Sequence, residues 1–304
     1  MAWTSGTATD YRDLLRKLRI FVTSTMTPAS QRWQQLRWVE QPTTQELILK
    51  GPGLAGADEI FVGIQTYQDA DAGWYWWDLN GFAGYNAAQP FNAQPGAITS
   101  DHPALSLWDS AIAYWFFANG RRIVVVAKVG TQFECAYAGF ILPWTTPGQW
   151  AYPLFIGGSQ TAAGGRLRSR ADDGHRAFWH PRIDWPLGVV DAAAMLWSTA
   201  GWVRISNSPE ANVDDCKVWP YLIGNLHEFG QCVSGDACLL PVALLASFAA
   251  ESSRVPFGEL DGVFYVSGHN TGAEAVITHG GRSFLVIQNV FRTAFDEHAA
   301  IELV

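Results

Sequence analysis

The sequence predicts a mainly β protein: antiparallel, sandwich-like lobes with one amphipathic helix near the N-terminus. Three observations carry this. Short apolar runs rich in β-favouring residues recur along the chain between glycine, asparagine and proline punctuation. Only one segment shows clear helical periodicity. The closing stretch, residues 257–304, reads FGELDGVFYVSGHNTGAEAVITHGGRSFLVIQNVFRTAFDEHAAIELV, a series of short strands joined by glycine and asparagine turns.

The helix lies in TATDYRDLLRKLRIFVTS. Thr9 or Asp10 can cap its start, and Leu14, Leu15, Leu18 and Phe21 or Val22 repeat on one face. That stripe needs a partner, either the chain's own sheet or a neighbouring subunit, which makes Leu14, Leu15, Leu18 and Phe21 a candidate docking face. Arg12, Arg16, Lys17 and Arg19 on the same segment read as a solvated face or as contacts to acidic neighbours.

A β pattern then takes over. Trp33, Leu36 and Trp38 precede the strand candidate ELILKG, which Gly51, Pro52 and Gly53 close. DEIFVGIQTYQD, GWYWWDLNGFAGYN, AIAYWFFANGRRIVVVAKVG and FECAYAGFIL follow, with Asn80-Gly81 and Asn119-Gly120 as turn signals. Asn119-Gly120 between AYWFFA and RRIVVVAKV predicts a hairpin with a type I′ turn. GGRLRSRADDGHRAFW loosens into loop composition, which places a lobe boundary near residue 165. The expected organisation is a helix and arm over 1–30, an aromatic-rich β lobe over 31–165, and a second β lobe with the C-terminal hairpin module over 166–304.

In that second lobe, AAAMLWSTAGWVRISN reads as a hairpin around Ala200-Gly201, and residues 207–238 as irregular. LLPVALLASFAAES reads as a buried strand with a bulge at Pro241, although a helix fits its composition too. In the closing module, Gly268 with Asn270 and Gly280 with Gly281 supply the positive-φ positions that hairpins need. His269 and Glu274 are read as hairpin surface.

Composition narrows the function. Hydrophobic residues make up 48% of the 304 and charged residues 16%, against roughly 25% charged in an average soluble protein. The deficit suggests surface covered by partners. Fifteen Trp, 9 Tyr and 17 Phe add a heavy aromatic load, suited to cores, interfaces or sugar-binding faces. A net charge of −8 argues against a general nucleic-acid surface, which needs clustered Lys and Arg. No apolar run reaches the roughly 18 residues of a membrane span, and MAWTSGTATDYRD lacks the pattern of a signal peptide, so assembly in a cytoplasm is expected.

No constellation commits to chemistry. Cys135 reads as a small buried hydrophobe, and Cys216, Cys232 and Cys238 lack the close pairing of structural zinc sites. A Cys232–Cys238 disulfide fits the spacing but not a reducing compartment. His175 and His180, with Asp172, Asp173 and Asp184, are unpatterned for a metal; His227, His269, His279 and His298 are scattered and read as loop or surface. There is no G-x-S-x-G elbow and no phosphate loop. Asp58, Glu59, Asp69, Asp71 and Asp78 could supply a carboxylate pair for glycoside hydrolysis, but nothing fixes two of them at a working separation. The expectation is no enzyme, no cofactor and no metal.

The sharpest surface candidate is the run Trp74, Tyr75, Trp76, Trp77. In a strand, Trp74 and Trp76 share one face and Tyr75 and Trp77 the other. One face is core; the other is covered by a second sheet, a neighbouring subunit or a sugar ring.

Four stretches, MAWTSGTATDYRDLL, LKGPGLAGADEIFVGIQTY, WFFANGRRIVVVAKVGTQFECAYAGFILPWTTPGQWAYPLFIGG and the closing module, together resemble virion proteins of tailed bacteriophages. The resemblance implies a structural part of the virion, in a tail tip or baseplate, whose partners are other virion proteins and copies of itself. It brings no catalytic residues. The alternatives are a tail adhesin for a host-surface glycan, a head-associated decoration protein and, last, a polymer-degrading enzyme.

Overall fold

The computed structural model describes residues 2–99, 102–144, 152–161, 175–180, 194–198, 201–205, 215–221, 237–248 and 251–303. Along the chain come β1 (Ala2–Ala8), α1 (Tyr11–Ile20, continued by one π-helical turn, Phe21–Thr25), β2 (Gln34–Glu40), β3 (Gln45–Gly51), β4 (Ile60–Asp69) and β5 (Trp74–Phe82). Next are β6 (Pro103–Leu107), β7 (Ile112–Ala118), β8 (Arg122–Val129), β9 (Gln132–Phe140), β10 (Leu142–Pro143), β11 (Leu154–Gly157) and β12 (Gln160–Thr161). The remainder holds β13 (Ala194–Ser198), β14 (Gly201–Arg204), β15 (Asp215–Trp219), β16 (Leu240–Phe248), β17 (Glu251–Tyr265), β18 (Val276–His279), β19 (Arg282–Gln288) and β20 (His298–Glu302). Among the described residues the predicted class holds: mainly β, antiparallel, with one α-helix near the N-terminus. Among the described residues no helix is long and apolar enough to cross a membrane.

The strands form three antiparallel sheets. A middle sheet runs β1-β7-β8-β9-β11-β13-β14; a flanking sheet runs β12-β6-β5-β4-β3-β2; a third runs β15-β16-β17-β20-β19-β18, with β10 paired to β17. Side chains alternate across a strand, so a strand buried on both faces reads as a continuous apolar run. That is why IVVVAKV contains so few polar residues. Ile123, Val125 and Ala127 of β8 enter one core with Leu47, Leu49, Val62, Ile64 and Leu79 of the flanking sheet. Val124 and Val126 enter a second core with Leu244, Phe257, Val263, Ile287 and Ile301 of the third sheet. The middle sheet therefore serves both cores.

The expected division at residue 165 is corrected by this arrangement. β11, before that point, pairs with β13 after it, Phe155 opposite Leu196. The segment read as irregular, 207–238, also contains β15, paired to β16.

Two turn signals act differently from expectation. Asn80-Gly81 lies inside β5, not at a turn. A Cβ on Gly81 would meet Trp202, Leu154 and Ile156 at 2.7–2.9 Å, so the glycine permits close approach of the flanking and middle sheets. Asn119-Gly120 does join β7 to β8, but Gly120 is not among the left-handed glycines, so the turn is not type I′. Asn119 Oδ1 accepts from the backbone N–H of Arg121 and Arg122, at 2.8 and 3.0 Å. Gly120 is needed for space: a Cβ there would sit 2.0 Å from the carbonyl oxygen of Gly53.

In the closing module, Gly280 (φ 58°) and Gly281 (φ 76°) form the expected two-residue hairpin between His279 and Arg282. Asn270 is left-handed at φ 56°, whereas Gly268 is not; there a Cβ would fall 2.5 Å from the His298 ring. Residues 240–248 are the strand expected there, and its register shifts between Pro241 and Ala243. The hairpin at Ala200-Gly201 forms with Ser198 opposite Gly201; Ala200 itself lies outside the described residues.

Candidate functional site

The helix stripe is the first place to look for a partner. Asp10 caps α1, accepting from Arg12 N–H at 2.8 Å and Asp13 N–H at 2.7 Å. Leu14, Leu15 and Leu18 are fully buried and Phe21 nearly so, all in the core between the flanking and middle sheets. The docking reading of this face is therefore corrected: the partner is the chain's own pair of sheets. The basic residues on the other side hold β2 and the turn after it. Arg16 pairs with Glu40, whose carboxyl the Arg16 hydrogen bond and charge hold low despite some burial. Arg12 reaches the carbonyls of Gln41 and Pro42, and Arg19 lies 4.5 Å over the Trp38 ring.

The aromatic run of β5 splits as period-two geometry requires. Trp77 is fully buried in the core, donating its indole N–H to the Tyr11 carbonyl at 2.9 Å. Tyr75 packs beside it, its ring 5.1 Å from that of Tyr11. Trp74 and Trp76 lie on the opposite, half-buried face. There the strand register builds two rows. Ser106, Trp76 and Tyr67 sit opposite one another on β6, β5 and β4; Gln160, Ala104, Asp78, Gln65 and Glu46 form the next row across β12, β6, β5, β4 and β3.

The rings of Tyr67 and Trp76 stack at 5.4 Å with an interplanar angle of 11°. Their polar tips point into the second row: Trp76 Nε1 donates to Asp78 Oδ1 at 2.8 Å, and Tyr67 Oη to Gln65 Oε1 at 2.9 Å. Burial and the negative charge of Asp78 both raise the Tyr67 hydroxyl above its ordinary range, so it stays a donor. At one end of the row Arg37 and Glu46 pair at 2.8 Å. Towards the other, His102 Nδ1 lies 3.8 Å from Asp78 Oδ2, while its Nε2 contacts the Ile98 carbonyl at 2.8 Å. Gln160 donates to the Ser106 hydroxyl, and its buried Oε1 meets no hydrogen-bond donor among the described residues.

Sequence patterning found Trp74 and Trp76 but not Tyr67, Gln65, His102 or Gln160. Tyr67 is within reach of the sequence: once a turn is placed at residues 70–73, antiparallel pairing sets it opposite Trp76. His102 and Gln160 belong to a loop and to a two-residue strand, and neither carries a local signal.

The histidine window resolves into structural contacts. His175 is fully buried with its Nε2 2.9 Å from Glu134 Oε1, and the Ser159 hydroxyl donates to the same carboxylate. The serine hydroxyl donates to the carboxylate, not to the imidazole, so the Ser–His hydrogen bond of a histidine-activated nucleophile is not made among these three residues. His180 Nδ1 and Arg176 Nη1 lie 2.7 and 3.0 Å from the Glu297 carboxylate. His298, read as loop or surface, is buried, and burial lowers its pKa. Asp172, Asp173, Asp184, His227 and Cys232 lie outside the described residues. Among the described residues, no group of three His, Cys, Asp or Glu could hold a metal ion. Cys135 is a buried free thiol.

A strand that sequence patterning missed forms the remaining surface. β1, AWTSGTA, pairs along its whole length with β7, from Ala2 opposite Ala118 to Ala8 opposite Ile112. It is the end strand of the middle sheet, and Trp3 on it is 47% exposed. No protein-family model matches the chain, and no curated protein matches it.

Proposed function

We propose that the chain is a structural component of a tailed-phage virion, a tail-tip or baseplate assembly protein that acts through contacts with copies of itself and with neighbouring virion proteins. The observation that supports this is the edge of β1. Exposed sheet edges are ordinarily blunted by charge, proline, bulges or short length, because a free row of N–H and C=O groups recruits another strand. The other edges follow that rule. β2 carries Arg37, Glu40 and a register shift; β14 carries Arg204; β12, β15 and β18 are short, at two, five and four residues. β1 has seven residues with no charge and no proline. It suits strand addition by a partner, one of the contacts through which a subunit joins a symmetric assembly.

The test is the composition of purified particles, in which the chain is expected at fixed stoichiometry. Ser5, exposed in the middle of β1, offers the matching variant. Ser5→Lys is expected to fold normally and to lose incorporation. Absence of the wild-type chain from purified virions overturns the proposal. A second reading, attachment to a host-surface saccharide, is favoured by the Tyr67–Trp76 stack.

A further inference from the structure

We infer that β1 pairs antiparallel with β1 of a second copy of this chain, about a two-fold axis at Ser5, so that two middle sheets join into one. This pairing rests on the assembly reading above and adds to it the partner and the register.

The ladder behind β1 fixes where its backbone groups point. Asn119 N–H donates to the Arg122 carbonyl at 3.1 Å, which makes residues 119 and 122 a hydrogen-bonded pair at the end of β7 and β8. Pairing runs from there through β7 to β1 without a register shift. Alternate residues of a strand turn their N–H and C=O to opposite edges, so Ile112, Tyr114, Phe116 and Ala118 face β1. Their partners Ala8, Gly6, Thr4 and Ala2 are therefore bonded inward. Trp3, Ser5 and Thr7 turn their N–H and C=O outward, and all three residues are exposed. The free edge stops beyond them, because the Thr9 N–H donates to Asp13 Oδ2 at 3.0 Å.

A second β1 completes this edge in one register. With Ser5 opposite its own equivalent, Trp3 meets Thr7 of the second copy and Thr7 meets its Trp3. Each of these facing pairs exchanges two hydrogen bonds, and none of the outward groups is left over. Trp3, 47% exposed, then lies beside a β-branched side chain, one of the favourable cross-strand combinations. Cα atoms come closest at the non-hydrogen-bonded pairs, and these fall on Ala2 with Ala8 and on Thr4 with Gly6, which are small. Charge complementarity, which selects a foreign strand, has nothing to act on in AWTSGTA, and two copies bring no like charges together.

The experiment is sedimentation of the full chain, expected to show a monomer–dimer equilibrium between about 1 and 100 μM, the range of a small interface. Ser5→Lys sets two like charges face to face on the axis and is expected to weaken dimerisation about tenfold or more. Ser5→Pro removes an outward N–H, a change that an edge strand tolerates, and is expected to weaken it similarly with the native circular dichroism spectrum kept. It decides the matter if Ser5→Lys fails to fold. Register is read by cysteine cross-linking. In the dimer, the two Thr7 positions lie about 14 Å apart along the strands, whereas the two Ser5 positions face each other. A bismaleimide too short to bridge that gap is expected to cross-link Ser5→Cys chains above the wild-type background and Thr7→Cys chains no more than wild type. A monomer at all concentrations, dimers unaffected by both Ser5→Lys and Ser5→Pro, or equal cross-linking of the two cysteine variants overturns the inference. A chain present in virions but monomeric in solution overturns this pairing alone; a chain that dimerises through β1 yet is absent from virions overturns the assembly reading alone.

Discussion

Glu297 illustrates how single residues hold this molecule together across long sequence distances. Burial by itself would raise its carboxyl, but the His180 hydrogen bond and charge, the Arg176 charge and the Asn289 amide outweigh it and hold the group at about 2. Asn289 Nδ2 donates to it at 2.6 Å. A carboxyl lowered on folding contributes stability above its unfolded value, 4.5, and loses it as pH falls towards about 2. The contribution is on the order of 3 kcal/mol. The thermal midpoint of the wild type is expected to drop steeply between about pH 5 and about pH 2, and that of Glu297→Gln to start lower and drop less. Parallel curves for the two proteins would refute this role. The sequence displays His175, Arg176 and His180 in one short window but not their acids, because Glu134 and Glu297 come from β9 and from the loop before β20. A loop rich in charge looks solvated until its long-range partners are in place.

At the scale of elements, what was legible depended on whether an element carries its own pattern. α1 does: an aspartate cap and leucines at helical spacing fix its start and its buried face. The same spacing could not say whose surface the leucines meet. Leu15, fully buried beneath the two sheets, tests that point. Leu15→Ala is expected to lower the unfolding free energy by about 3 kcal/mol in denaturant titration of the isolated chain. A stripe reserved for a partner would leave that value nearly unchanged. β1 is the opposite case. AWTSGTA has small polar residues and no alternation, and its extended state comes from pairing with β7, which lies over a hundred residues away in the chain. Asn80-Gly81 shows the complementary error, since a turn dipeptide serves inside a strand when two sheets need to approach. β5 falls between these cases. Its alternation is local and readable, but the rows that turn Trp76 into a site are set by the register of four other strands.

At the scale of the whole molecule, the shared middle sheet decides how the protein folds. Each core draws one wall from β8, β9 and β11, so neither flanking sheet can bury its apolar face without them. The aromatic excess and low charge read from composition have part of their cause here, because three stacked sheets have two interiors to fill. The low charge thus does not by itself require an external partner; the case for one rests on the β1 edge. The architecture also predicts the behaviour of fragments. Residues 166–304 alone would keep the third sheet but lose Val124, Val126, Cys135, Tyr137 and Phe155 from the core that supports it, and β13 would lose its neighbour β11. That fragment is expected to remain unfolded or to aggregate, to show no cooperative thermal transition, and to be cut rapidly by protease. The intact chain is expected to unfold with both cores lost together, so far-ultraviolet circular dichroism and tryptophan fluorescence should give coincident transitions. Two independent lobes would instead give a fragment with its own sharp transition and two resolved steps in the intact chain. Because β1 closes one end of the same middle sheet, a partner strand added to it would extend the sheet common to both cores. Binding at that edge is therefore expected to raise the single unfolding midpoint of the whole chain, not that of one lobe.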